Sequence, residues 1–289
     1  MSSKVDPRGI TDDFIDREVK MTWKDSLYSV YLFFRLGEAA ASRKCLYINY
    51  TTLDKKSYAM GTVMDLEDVP PLPSSSRAKR LCFISDTHEK HHVLTIPKCD
   101  VLIHTGDILF CGRKQSPSLQ LYKLKLLGSW LGKQQAKHRL LVGGNHDKIL
   151  EELNDGQLEK VLPATTVLHN KKVTIEGLCF YGSPFSSGLS KNRAFQGDAL
   201  RDKLIEDIRD TKDIDVLLTH GDDVNPIDYN CTARLHSWGH HHTLYGAKWL
   251  TKDKADQGEG TLSICSTIMD KRYRPIQLPI VVDLEPALP

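Results

Sequence analysis

Five strand-like apolar runs in this chain each end on side chains able to ligate a metal ion. Val101-Leu102-Ile103-His104-Thr105-Gly106-Asp107 runs out onto a carboxylate, and Leu81 to His88 (LCFISDTH) ends on Asp86 and His88. Downstream, LLVGGNHD presents Asn145 and His146, VLLTH ends at His220, and SWGHHH carries His240 and His242. Ions of the Mn, Fe and Zn type take imidazole and carboxylate ligands readily, and a pair of them about 3.5–4 Å apart needs a shared oxygen ligand. A carboxylate can serve two cations and a neutral imidazole cannot, so Asp107 is the expected bridge. Asp86 and His88 stand two residues apart at a strand end and share one side. The same spacing lets His240 and His242 reach one site while His241 points away. The expected sets are therefore Asp86, His88 and His242 for one ion and Asn145, His220 and His240 for the other, with Asp107 common to both.

His146 lies beside a ligand but leaves the Gly143-Gly144 loop in another direction. Free of metal, its imidazole could give a proton to a departing oxygen or stabilise charge on a transferring phosphoryl group, with Asp147 orienting it from behind. Taken singly, D-x-H, T-H-G or GHHH says little. Their joint order at strand ends is what carries the reading, because open α/β sheets gather ligands beyond the carboxyl ends of their strands. Other histidines read differently: His104, inside an apolar run, as a buried and hydrogen-bonded residue, and His91 and His92 as solvated loop residues.

The elements needed to hold these ends follow from periodicity. Strands are expected at 81–85, 100–104, 139–143, 165–169, 172–176, 178–182, 215–219, 234–238, 261–266 and 280–284. Helices fit 118–135, where Leu119, Tyr122, Leu126 and Trp130 recur at helical spacing, and 148–160 and 197–209. The closely spaced strands at 165–182 and after 234 read as antiparallel. Before them, 44–51 alternates like a strand that 58–64 could pair with. VPPLPSSS, Val69 to Ser76, is the clearest boundary, dividing an N-terminal extension, 1–76, from a main domain, 77–289. Within the extension, 11–41 fits either a helix face of Trp23, Leu27, Tyr31 and Phe34 or, over 28–34, a strand.

Composition bounds the function. The chain has 289 residues, 40% of them hydrophobic and 26% charged, which suits one large α/β domain with an appendage. Lys and Arg total 39 against 37 Asp and Glu, a formal charge of +2 that leaves no electrostatic footprint for a nucleic-acid polymer. No secretory leader pattern and no run near 18 apolar residues is present, so a cytoplasmic protein without a membrane partner is expected. Seven scattered cysteines without a C-x-x-C pair read as reduced core residues.

Together the motifs resemble the signature of the calcineurin-like metallophosphoesterases, D-x-H, G-D, G-N-H-D/E, H and G-H-x-H in that order. Here these are Asp86-Thr87-His88, Gly106-Asp107, Gly144-Asn145-His146-Asp147, His220 and Gly239-His240-His241-His242. The flanks FISDTH, LIHTGD, YGSPF, THG, RLHSWG and PIVVDL are similar to the metallophosphoesterase domain-containing (MPPED-type) branch, some of whose members lack a metal-binding histidine in the last motif. Both His240 and His242 are present, so the resemblance implies a full dinuclear site occupied by manganese, iron or zinc. It also implies a four-layer α-β-β-α sandwich of mixed sheets. Two prolines usual after THG in that branch are Asp222 and Asp223 here, and only nineteen residues separate His220 from His240. Both departures alter the rim of the site.

The expected function is a dinuclear-metal-dependent phosphodiesterase acting on a small substrate such as a cyclic nucleotide, through in-line attack by a metal-bridging hydroxide. A phosphomonoesterase or phosphoprotein phosphatase with the same metals is the alternative, and a nuclease is disfavoured by the charge balance. A non-catalytic interaction scaffold is the alternative of another class. Residues 1–76 are a candidate surface for a protein partner.

Overall fold

The structure is a computed structural model and describes residues 45–50, 62–72, 76–110, 115–188, 190–252 and 260–287. The readings for 11–41, and Cys111, lie outside them. In chain order the described strands are β1 (Cys45–Asn49), β2 (Thr62–Met64), β3 (Lys79–Ile84), β4 (Cys99–His104), β5 (Ala136–Leu141), β6 (Thr166–Val167), β7 (Lys171–Ile175) and β8 (Leu178–Ser183). They continue with β9 (Val216–Thr219), β10 (Leu235–Trp238), β11 (Gly246–Leu250), β12 (Thr261–Cys265) and β13 (Ile280–Leu284). The α-helices are α1 (Pro117–Gly132), α2 (Lys148–Glu152), α3 (Asp155–Val161) and α4 (Asp198–Ile208).

Two mixed sheets result, one in the order β2-β1-β13-β3-β4-β5-β6 and one in the order β11-β12-β10-β9-β8-β7. Alternation along the strands decides how they stack. Leu81, Phe83, Val101 and Ile103 of β3 and β4 pack with Phe180, Val216, Leu218 and Ile264 of the second sheet in one core. The intervening Cys82, Ile84 and Leu102 turn outward onto Leu121, Leu124, Leu127 and Leu131 of α1. On the far side, Tyr181 and Leu217 pack on Leu204, Ile205 and Ile208 of α4. The order helix, sheet, sheet, helix is the expected four-layer sandwich.

Local chemistry explains where expected boundaries shift. α1 starts at Pro117 because Ser116 caps it, its hydroxyl accepting from the Leu119 N–H at 3.2 Å. It stops at Gly132, and 136–141 extend instead as β5, so the expectation of helix to 135 overran. The helix expected over 148–160 is two, because Asn154 and Gln157 form a capping box that restarts the turn. β6 is not antiparallel to β7: it pairs parallel with β5, and the chain then crosses to the other sheet. β10 likewise pairs parallel with both β9 and β12, while β11, which periodicity did not find, pairs antiparallel with β12.

The boundary expected at 76/77 falls inside a sheet. β1 pairs antiparallel with β2 and parallel with β13, Leu46 opposite Ile280 and Asn49 opposite Asp283. Arg80 then fastens β3 to this edge, donating to Asp283 at 2.9 and 2.8 Å and to the Pro70 carbonyl at 2.6 Å. The proline-serine stretch thus joins strands of one domain. Among the described residues no helix is long and apolar enough to cross a membrane, and the described cysteines are free thiols.

Two buried histidines make stability acid-sensitive. His104 gives Nε2 to the Thr87 hydroxyl at 2.9 Å while its Nδ1 accepts from the Gly106 N–H at 3.2 Å. His236 Nε2 meets the Thr219 hydroxyl at 2.7 Å. Burial pushes both imidazoles down to about 3, so the unfolded chain binds more protons than the folded one below about pH 6.5. Their contribution is complete above that pH and is lost as pH falls, each histidine costing about 1.4 kcal/mol per pH unit. Urea midpoints should drop steeply between pH 6.5 and 5. His236→Gln should flatten the slope, and an unchanged slope would show that His236 is not neutral in the folded state.

Candidate metal centre

The carboxyl ends of β3, β4, β5, β9 and β10 converge at one edge of the sandwich, and each delivers the motif read from it. Four of the seven expected ligands, Asp86, His88, Asp107 and His240, hold left-handed backbone angles of φ 53, 40, 55 and 64. Such angles cost L-residues free energy and persist where the surroundings fix them. Two glycines show how tightly the loops close. A Cβ at Gly144 would overlap the Asp107 carboxylate, and one at Gly239 would overlap the Ser85 hydroxyl and the Asp86 carboxylate. The G in G-N-H and in G-H-x-H is thus a space requirement set by neighbouring ligands.

The seven side chains gather as two groups about Asp107. His88 Nε2 lies 3.2 Å from His242 Nε2, and His242 Nε2 lies 3.4 Å from Asp86 Oδ1. Across the site, His220 Nε2 lies 3.1 Å from Asn145 Oδ1, and His240 Nδ1 lies 2.9 Å from the same oxygen. Asp107 faces both groups: Oδ1 is 3.2 Å from His220 Nε2, and Oδ2 is 3.8 Å from His88 Nε2. Asp86, His88 and Asp107 are almost wholly buried, as are Asn145 and His220.

Backbone carbonyls set the imidazole tautomers. His88, His220 and His242 each direct Nδ1 at a main-chain oxygen, of Leu109 at 2.9 Å, Thr105 at 2.8 Å and Asp270 at 3.2 Å. In neutral rings Nδ1 is then the donor, and the Nε2 lone pair faces the site. Asn145 gives its amide N–H to the Ser190 hydroxyl and the Asn192 carbonyl, both at 3.1 Å, which turns its oxygen inward. Acceptors consequently face acceptors, most plainly the two Nε2 atoms of His88 and His242. A cation resolves that repulsion, and bonds of about 2.0–2.2 Å put neighbouring ligand atoms roughly 3–3.5 Å apart, the spacing seen here. The residues fit a pair of divalent cations.

Protons show the same demand. Burial alone would lower His220, yet the charge and hydrogen bond of Asp107 push it up to about 9. Burial would raise Asp86, but the hydrogen bond from His242 and the charges of His220 and His242 hold it at about 2. Burial pushes His88 down to about 3. A cation held there would take the place of the proton on His220.

His146 adjoins this set, its ring close enough to His88 and Asp107 that the three could share an ion. Its Nδ1 is directed at the Phe110 carbonyl, and its Nε2 stands 3.7 Å from Asp107 Oδ2. Asp147 does not orient it, contrary to the reading from sequence. Its carboxylate is consumed by the N–H groups of Ile108 at 3.2 Å, Leu109 at 2.9 Å and Gly144 at 2.8 Å. Asp147 thereby clamps the loop after Asp107 to the loop bearing Asn145, and burial with the charge of Asp107 pushes its carboxyl up to about 7.

Three features escaped the sequence reading. The loop after β8 brings Ser190 and Asn192 against Asn145 and His146, and the turn after β12 brings Asp270 and Tyr273 against His242. Both follow strand carboxyl ends on the same edge, so the rule that found the five motifs pointed at these loops too. The third is His91, expected in solvent, which is buried with its ring 5.3 Å from that of Trp130. At the rim, Asp222 lies 3.3 Å from His241 Nε2, and Asp223 accepts from the Ser187 N–H at 2.7 Å and from its hydroxyl. Asp223 therefore ties the loop after β9 to the loop after β8, and Asp222 ties it to the loop after β10.

Comparison with known proteins gives the family. Residues 79–256 match the family model for calcineurin-like phosphoesterases. The chain is 26% identical to human metallophosphoesterase domain-containing protein 1, over 75% of this chain and 73% of that one. It is 27% identical to a UPF0046 protein of Caenorhabditis elegans, over 80% of this chain and 90% of that one. A solved archaeal phosphodiesterase aligns with 66% of this chain and 84% of its own at 15% identity and a TM-score of 0.35. With the ligand types in family order and gathered into overlapping clusters that could hold metal ions, the chain belongs to the calcineurin-like phosphoesterase family and is a metal-dependent phosphoesterase.

Proposed function

We propose that the chain hydrolyses a small phosphodiester, such as a cyclic nucleotide, with Asp86, His88 and His242 holding one ion, Asn145, His220 and His240 the other, and Asp107 both. The observation that carries the reading is the division of Asp107, whose two oxygens face separate sets of inward lone pairs. Bound there, manganese, iron or zinc supplies an activated water and neutralises phosphoryl charge.

The protein's own part is proton and charge management. His146 has one nitrogen committed to the Phe110 carbonyl, so it acts as an acid only when doubly protonated, passing the Nε2 proton to the departing oxygen as the ester bond breaks. Beyond His146 the Asn192 amide carries a neutral donor, and the rim beside His241 is acidic through Asp222. A diester with one negative charge suits those surroundings better than a monoester with two.

The experiment is a metal titration with a substrate panel. Protein loaded with Mn, Fe or Zn should bind two ions per chain, cleave bis(p-nitrophenyl) phosphate faster than p-nitrophenyl phosphate, and lose activity to a chelator. Cleavage of the monoester alone would assign a phosphomonoesterase. Cleavage of neither the bis-ester nor cyclic nucleotides by fully loaded protein would overturn the reading.

A further inference from the structure

We infer that the side-chain amide of Asn192 is a substrate-binding group, donating a hydrogen bond to a non-bridging oxygen of the phosphoryl group. The inference deepens the proposed phosphodiesterase reading and rests on it. Asn192 follows β8 in the stretch Ser190-Lys191-Asn192-Arg193, outside every motif that supplies a candidate ligand.

Its backbone and side chain do different things. The main-chain carbonyl accepts from the Asn145 amide at 3.1 Å, and its N–H donates to the Ser190 hydroxyl at 3.1 Å, which itself accepts from Asn145 at 3.1 Å. The loop is thus built onto an expected ligand. The side chain continues past that anchor to His146, with Nδ2 3.3 Å from Nδ1 and 3.2 Å from Nε2.

Near-equal distances to both ring nitrogens exclude a hydrogen bond to either lone pair. In the plane of the ring the Cε1–H group stands between them, so the amide nitrogen lies over the ring face. His146 Nδ1 is already directed at the Phe110 carbonyl, and its other nitrogen faces Asp107 Oδ2 at 3.7 Å. The amide therefore stands beside His146, where an oxygen of a phosphoryl group approaching that ring would meet it. It is half-buried, which a group meeting substrate from the open side requires. A neutral donor there binds phosphoryl oxygen without adding charge beside the cations.

The test uses the full-length, metal-loaded chain and reads inorganic phosphate affinity by calorimetry alongside kcat/KM for bis(p-nitrophenyl) phosphate. Asn192→Ala should weaken phosphate about 10- to 100-fold, the usual cost of losing a hydrogen bond to a charged group. Asn192→Asp should weaken it further, because a carboxylate repels the anion. Both variants should keep two metals, since the Asn145 contacts are made by the main chain of residue 192 and by Ser190. If phosphate affinity in Asn192→Ala stays within twofold of the unaltered protein, the inference is wrong. Phosphate weakened in the variants while the unaltered enzyme cleaves no diester would instead sink the phosphodiesterase reading and leave Asn192 as an oxyanion ligand. Loss of a metal in Asn192→Ala would mean a structural role and overturn the assignment.

Discussion

Asp107→Asn is expected to cost on the order of 10³-fold in kcat/KM, more than removal of a one-sided ligand such as His88, and well beyond the 10–100-fold typical of residues behind a ligand. The substitution keeps the shape of the side chain and changes only what one of its two faces can accept. Asp107 Oδ1 receives the His146 N–H at 2.9 Å, so the amide would keep its oxygen there and turn its nitrogen toward His88 and His146. The ion expected among Asp86, His88 and His242 would meet a donor where it needs a lone pair. Metal analysis should find one tight ion fewer, and the metal-free variant should be less stable at neutral pH, because the carboxylate that pushes His220 up to about 9 has gone. A variant that keeps two tightly bound ions and full turnover would show that Asp107 does not bridge them.

How far the sequence reached depends on where information sits along the chain. The ligand types at Asp86, Asp107, Asn145, His220 and His240 were legible because each ends a buried strand, and a change from apolar run to polar tip is a local pattern. The four layers were implied by resemblance, and alternation at Leu81, Cys82, Phe83 and Ile84 shows why two faces must be covered. What could not be read was long-range or main-chain. Nothing local says that β1 lies beside β13, more than two hundred residues away, which is why a proline-serine stretch passed for a domain boundary. The carbonyls of Thr105, Leu109 and Phe110 that fix the imidazoles belong to no residue type. Asp147 was misread because adjacency to His146 in sequence suggested contact, whereas three backbone N–H groups hold its carboxylate on the opposite errand.

The tie between β1, β3 and β13 leads to the second large effect, Asp283→Ala. Asp283 is 2% exposed and accepts from Arg80 through both oxygens and from the Tyr47 hydroxyl at 2.8 Å. Tyr47 is pushed up to about 12 by burial and by that hydrogen bond. Removing the carboxylate strands a guanidinium that is itself only 8% exposed, and breaking a buried pair from one side costs about 3–5 kcal/mol. A shift of that size in urea unfolding free energy is expected. Replacing the whole group, Arg80→Met with Asp283→Leu and Tyr47→Phe, should recover most of it, because well-packed apolar residues are then exchanged for a desolvated pair. Loss below about 1 kcal/mol in Asp283→Ala would mean that water reaches Arg80 and the edge is looser than its hydrogen bonds indicate. The site offers the internal control. Asp86 lies six residues beyond Arg80, about 20 Å along the strand, so at temperatures where Asp283→Ala remains folded its metal content and kcat should match those of the unaltered chain. A fall in both together with stability would show instead that the β1 edge positions the metal ligands and does not merely hold the sheet.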